Sequence, residues 1–141
     1  MDQDLVIKIR ESLQNQEHTY ELDAETTASA LTRAEAKFIT NPNVIWWWES
    51  LRYPSRVIEY GEADAFSKIL GLIGKDEIVR LVVTDDEPGP WPVFEGPLHE
   101  IICIIRGQRF FEYFLISAKS EISNWMIFDN HHNQLVITGE I

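Results

Sequence analysis

The stretch that most limits what this chain can fold into is Asp85-Asp86-Glu87-Pro88-Gly89-Pro90-Trp91-Pro92. Proline fixes its own φ and removes a backbone donor. Three prolines and a glycine in so short a run bar a helix or a central strand. The wider segment, residues 81–105, holds five acids (Asp85, Asp86, Glu87, Glu95, Glu100) and no Lys or Arg. It reads as a stiff, acidic, aromatic-bearing loop between two apolar segments. Such a loop predicts docking to something basic rather than catalysis.

The acidity is general. Across 141 residues, 23 acids face 12 bases, a net charge of −11. Residues 1–70 carry 12 acids and 7 bases, and residues 71–141 carry 11 and 5. With no acidic tail to discount, the folded body itself must be negative. That sign repels phosphate backbones and anionic lipid, so neither nucleic acid nor membrane is an expected partner. A basic protein would be attracted, mainly through a faster on-rate. Acidity that serves solubility alone is the competing explanation. The length suits a single domain over residues 1–141, and 45% apolar residues can build its core.

Cys103 is the only cysteine, which excludes an internal disulfide. Its setting, Ile101-Ile102-Cys103-Ile104-Ile105, predicts a small buried hydrophobe. The start, Met1-Asp2-Gln3-Asp4, lacks the basic and apolar regions of a signal peptide. No apolar run approaches the ~20 residues that span a bilayer. A cytoplasmic location is the expectation.

Leu5, Val6, Ile9 and Leu13 share one helical face and predict a helix over residues 2–16. Asp23 can cap a second helix over 24–39, ended by Asn41-Pro42. A third element, 44–51, contains Trp46, Trp47 and Trp48. Three consecutive indoles cannot share a face, so at least one, Trp47 in the preferred reading, is expected at the surface. Residues 55–60 predict a short edge strand. Ala63, Phe66, Leu70 and Ile73 predict a helix over 62–73, with Gly74 as its left-handed cap. Glu77 to Thr84 predicts a central strand, apolar on both faces. Leu98, Ile101, Ile102 and Ile105 give a helical stripe, with a strand as the alternative. Strands over 109–117, 124–129 and 134–138 form an antiparallel meander.

These elements compose an α+β fold. N-terminal helices would pack on one face of a four- to five-stranded mixed, mainly antiparallel sheet. A crossover helix between the strands 77–84 and 109–117 would make that pair parallel.

No phosphate-cradling glycine loop, nucleophile elbow or paired-histidine zinc motif is present. The best chemical candidate is Asp129-Asn130-His131-His132-Asn133. Histidines beside a carboxylate could hold zinc or supply a base. On a strand, however, His131 and His132 point to opposite sides, and Asp and Asn favour turns. A polar hairpin turn is therefore the preferred reading, with no metal, no cofactor and no catalytic residues. His99, Glu100 and Glu112 could join such a site only if the fold brought them together.

The segments Phe110-Phe111-Glu112-Tyr113-Phe114-Leu115-Ile116 and Asn124-Trp125-Met126-Ile127-Phe128-Asp129-Asn130-His131-His132-Asn133-Gln134-Leu135 carry a resemblance. With the tryptophan run, they resemble a small uncharacterised bacterial family. That family has an aromatic strand, a Trp-containing strand and an acid-Asn-His-His-acid turn. Its size and layout are similar to immunity proteins carried beside polymorphic toxins. Asn133 stands where an acid is expected, which weakens the metal reading. The resemblance implies a fold and a bacterial cytoplasm, and it transfers no catalytic residue. The combined expectation is a non-catalytic acidic module that binds a basic protein, as an immunity-type inhibitor of a basic toxin does. Asp85, Asp86, Glu87, Trp91, Glu95 and Trp47 are its expected partner-facing residues. A small-molecule-binding or metal-assisted hydrolytic domain built on Asp129, His131 and His132 is the alternative.

Overall fold

A computed structural model describes residues 3–38, 55–59, 65–83, 91–106, 114–120, 125–130 and 134–139. Its helices follow from local signals. Helix α1 runs over Gln3–Ser12 and tightens into a 3-10 turn at Leu13–Asn15. There the Ser12 hydroxyl donates to the Ile9 carbonyl at 2.7 Å. Helix α2 spans Ala24–Phe38. Asp23 caps it, its Oδ1 accepting from the Thr26 amide at 2.7 Å. Helix α3 is Ala65–Ile73. It stops at Gly74, whose φ of 108° suits glycine and whose amide donates to the Leu70 carbonyl at 2.9 Å. Helix α4, Leu98–Arg106, follows Pro97 directly, so the helical reading of that stripe holds.

Seven strands form one sheet: β1 Tyr20–Glu21, β2 Ser55–Glu59, β3 Ile78–Val83, β4 Val93–Pro97, β5 Phe114–Ala118, β6 Trp125–Asn130 and β7 Gln134–Gly139. Their spatial order is β1-β4-β3-β5-β6-β7-β2. The short strand at 55–59 is at an edge, β3 is central, and β5-β6-β7 is the expected meander.

Three features differ from the sequence reading. The sheet has more strands than expected, because β1 and β4 were not foreseen. The prolines that suggested one long loop end at Pro92, and β4 begins immediately after it. Its last residue, Pro97, pairs with Ile78 at the end of the ladder, where a missing donor is tolerated. Second, β3 and β5 are antiparallel, not parallel. Strand β4 has already reversed the chain, so α4 links two strands, β4 and β5, that run the same way on either side of β3. This is a split βαβ arrangement, and every neighbouring pair among the described strands is antiparallel.

Third, helices cover both faces. One core joins the sheet to Val6 and Ile9 of α1, Ile69 of α3, and Leu98, Ile101, Ile102, Ile104 and Ile105 of α4. On the other face Val82, Trp91, Val93, Met126, Phe128 and Val136 pack with Leu22 and with Leu31 of α2. Arg33 of α2 also donates to the carbonyls of Ala118, Lys119 and Ser120 at 3.4, 3.1 and 3.0 Å. The register shows why two layers are needed. Phe94, Leu81, Ile116, Ile127 and Ile137 stand opposite one another across five strands, each at most 2% exposed. One residue along, on the opposite face, runs the row Glu95, Arg80, Ser117, Met126 and Thr138.

Cys103 is exposed, not buried. The period of α4 explains this: Leu98, Ile101, Ile102 and Ile105 face the core, and His99, Cys103 and Arg106 face outward.

Gly96 marks a close approach. A Cβ there would lie 2.2 Å from Thr19 Oγ1 and 2.9 Å from Thr19 Cα. Thr19 cannot retreat freely, because its hydroxyl donates at 2.8 Å to Glu100, which also accepts from the His18 amide at 3.1 Å. Gly96→Ala is therefore expected to cost about 1–3 kcal/mol in a denaturant melt, as overpacked sites do. A loss below about 0.5 kcal/mol, the level of neutral surface changes, would show that β1 is not pinned there.

Candidate functional site

The polar row begins with Tyr20 of β1. Tyr20 stands opposite Glu95 of β4, Glu95 opposite Arg80 of β3, and Arg80 opposite Ser117 of β5. Alternation thus places three ionisable side chains side by side on the face that α2 covers. Arg80 Nε donates to Glu95 Oε1 at 3.1 Å. The Tyr20 hydroxyl donates to Glu95 Oε2. Lys119, just past β5, brings Nζ to 3.4 Å from the same oxygen.

Glu95 is 2% exposed, so its carboxylate has left water. Burial pushes its pKa up, but the Tyr20 hydroxyl, the Arg80 guanidinium and the Lys119 charge pull harder, and the net shift is downward. Tyr20 is shifted upward, chiefly because its proton is held by Glu95. One carboxylate therefore faces two cations.

The cluster lines an open cleft of about 420 Å3 together with Glu21, Leu22, Asp23 and Thr26. Arg10 holds Glu21 through Nε at 2.7 Å and Nη2 at 3.0 Å. Asp23 sits at the exposed start of α2, its pKa lowered by the Thr26 amide it accepts from.

Chemically the cleft brings one carboxylate, one phenol and two cations within reach of one another. General acid–base catalysis favours a pKa near the working pH. Here the carboxyl is pushed down and the phenol up, both away from neutrality.

The expected partner-facing residues fare differently. Glu95 is buried inside this cluster and Trp91 is 8% exposed within the second core, so neither presents itself to a partner. Trp91, Val93 and Glu95 alternate onto the same side of the sheet, and the loop reading missed this because it missed β4. Asp85, Asp86, Glu87, Trp47, His131, His132 and Glu112 lie outside the described residues. Asp129 pairs with Leu135 in the β6–β7 ladder. Among the described residues, no group of three or more His, Cys, Asp or Glu could hold a metal ion. Nor is any described helix long and apolar enough to cross a membrane.

Sequence reasoning overlooked Tyr20, Arg80 and Lys119. One signal was available: Arg80 interrupts Ile78-Val79-Arg80-Leu81-Val82-Val83, and a cation inside a central apolar strand needs a buried partner.

The fold and the cleft define an α+β protein with a split βαβ unit and a charged recess on the α2 side of its sheet. A family model matches residues 5–141, so the chain belongs to the family of unknown function DUF6756. No curated protein matches it.

Proposed function

We propose that this chain is a non-catalytic, acidic protein-binding module: an immunity-type inhibitor of a basic toxin, or of another basic protein, in the bacterial cytoplasm. The observation that carries the reading is the charge of −11, spread over both halves of the chain. The described interior adds to it. Among the described residues two acids, Glu95 and Glu100, are buried, and Glu95 is held by Arg80 and Lys119. The cleft's carboxyl and phenol, shifted away from neutrality, favour binding over proton transfer. In this reading Asp85, Asp86, Glu87 and Trp47 contact the partner, while Trp91 and Glu95, both buried, do not.

The test begins with cross-linked recovery of the partner from the native host, followed by stopped-flow association. Exposed charges are screened beyond ~8 Å at physiological ionic strength, so the on-rate should fall steeply as salt rises. Asp85→Asn, Asp86→Asn and Glu87→Gln together should slow association by about tenfold, with a smaller change in the off-rate. An on-rate indifferent to both salt and the triple substitution would reject the loop as a steering element.

A further inference from the structure

We propose that the cleft between β1, β3, β4 and the start of α2 is a receptor site for a carboxylate attached to an apolar or aromatic group. Arg80 and Lys119 hold the carboxylate, and Tyr20 with Leu22 takes the apolar part. This goes beyond the protein-binding reading, and its test reads the cleft residues rather than Asp85, Asp86 and Glu87.

The argument starts from which hydrogen-bonding groups are already used. Both carboxylate oxygens of Glu95 are taken: Oε1 by Arg80, and Oε2 by Tyr20 and Lys119. On the rim, both oxygens of Glu21 are taken by Arg10. Among the described residues the donors are not used up. Arg80 spends only Nε on Glu95, and among the described residues nothing accepts from its two terminal nitrogens. Yet its side chain is only 15% exposed. Lys119 is 52% exposed and has two further protons to give. A recess with unused donors and satisfied acceptors recruits an acceptor.

Charge selects the kind of acceptor. Arg80 and Lys119 are two cations around one carboxylate, Glu95, although with Glu21 and Asp23 set against Arg10 the cleft as a whole is neutral. Asp23 on the rim, and the −11 of the whole chain, disfavour a dianion. A monoanion fits both, and a planar guanidinium fork matches a carboxylate. The walls select the rest of the ligand. Tyr20 is 51% exposed, which leaves part of its ring available, and Leu22 is half-buried beside it. The volume of about 420 Å3 is in the range that small ligands occupy.

A carboxylate of this kind can come from a free organic acid or from the C-terminus of a polypeptide. Amide NMR titration of the intact chain separates the two sources. The probes are 3-phenylpropionate, its primary amide, a short peptide ending in Phe with a free or an amidated C-terminus, and inorganic phosphate. Saturable shifts at Tyr20, Leu22, Arg80 and Lys119 are expected with the acids and not with the amides. Tighter binding of the peptide acid assigns the site to a chain terminus, and equal or weaker binding assigns it to a free acid. Lys119→Gln should weaken the acid about tenfold, the loss of one charge-assisted hydrogen bond, while Lys119→Arg retains it. Lys119 is exposed enough for these variants to fold, whereas Arg80 variants are compromised by Glu95. Equal binding of acid and amide, phosphate binding as tight as the acid, an unchanged affinity in Lys119→Gln, or no shift at these amides would each overturn the proposal. None of these outcomes bears on the salt dependence of a protein partner, so the two readings fail separately.

Discussion

Glu95→Ala should destabilise the protein by about 3–5 kcal/mol, the usual loss when one member of a buried ion pair is removed. The Arg80 side chain is only 15% exposed, and Glu95 is its one carboxylate partner among the described residues. Removing that partner strands a cation in the interior and also releases Tyr20 and Lys119. Glu95→Met combined with Arg80→Met should recover most of the loss, because an apolar pair leaves no orphaned charge. Urea melts of the single and double variants decide this. A cost below about 1 kcal/mol for Glu95→Ala would place the cluster on the surface in practice.

The same pair has a signed pH dependence. Glu95 has a folded pKa below its ordinary value of 4.5. Its contribution is therefore complete above the unfolded pKa and is lost as pH falls through the folded one. The stability gap between wild type and Glu95→Gln should stay flat from about pH 6 to 8 and close below about pH 4.5. A gap that widens on acidification would mean that burial, not the three donors, controls the carboxyl.

Trp125→Ala and Trp91→Ala should each cost about 3–5 kcal/mol, the range for a large aromatic truncated in a core. The two residues test opposite layers. Trp125, 5% exposed on β6, belongs to the core under α1, α3 and α4. Trp91, 8% exposed, packs with Val82, Val93, Met126 and Phe128 on the other face. From the sequence, with a proline on each side, Trp91 reads as a loop residue that could be cut back almost freely. A Trp91→Ala variant within about 1 kcal/mol of wild type would restore that reading and remove the second layer's anchor.

Local signals carried the helices. Asp23 and Gly74 act within a few residues of themselves, so their outcomes were legible before any fold was known, whereas the Leu98–Ile105 stripe left helix and strand both open until the structure gave the helix. The meander β5-β6-β7 was legible for the same reason, since short connections leave neighbouring strands no alternative partner. Strand β4 was not legible. Five residues framed by prolines carry no clear period, and only pairing with β3 on one side and β1 on the other makes them a strand. Missing β4 carried three errors with it: the parallel β3–β5 pair, the exposed Trp91 and the solvent-facing Glu95.

By itself the sequence determined the first three described helices, the antiparallel C-terminal strands and the negative charge of the chain, and left helix or strand open for 98–106, because propensity, capping and net charge are local or additive. Tertiary structure alone decided which strands are neighbours, that helices cover both faces, and that Glu95 is neutralised. Tyr20 and Arg80 lie 75 and 15 residues from Glu95 along the chain. A carboxyl's burial and charge are set by what surrounds it in space, and no spacing in the sequence brings those three together until β1, β4 and β3 are laid side by side.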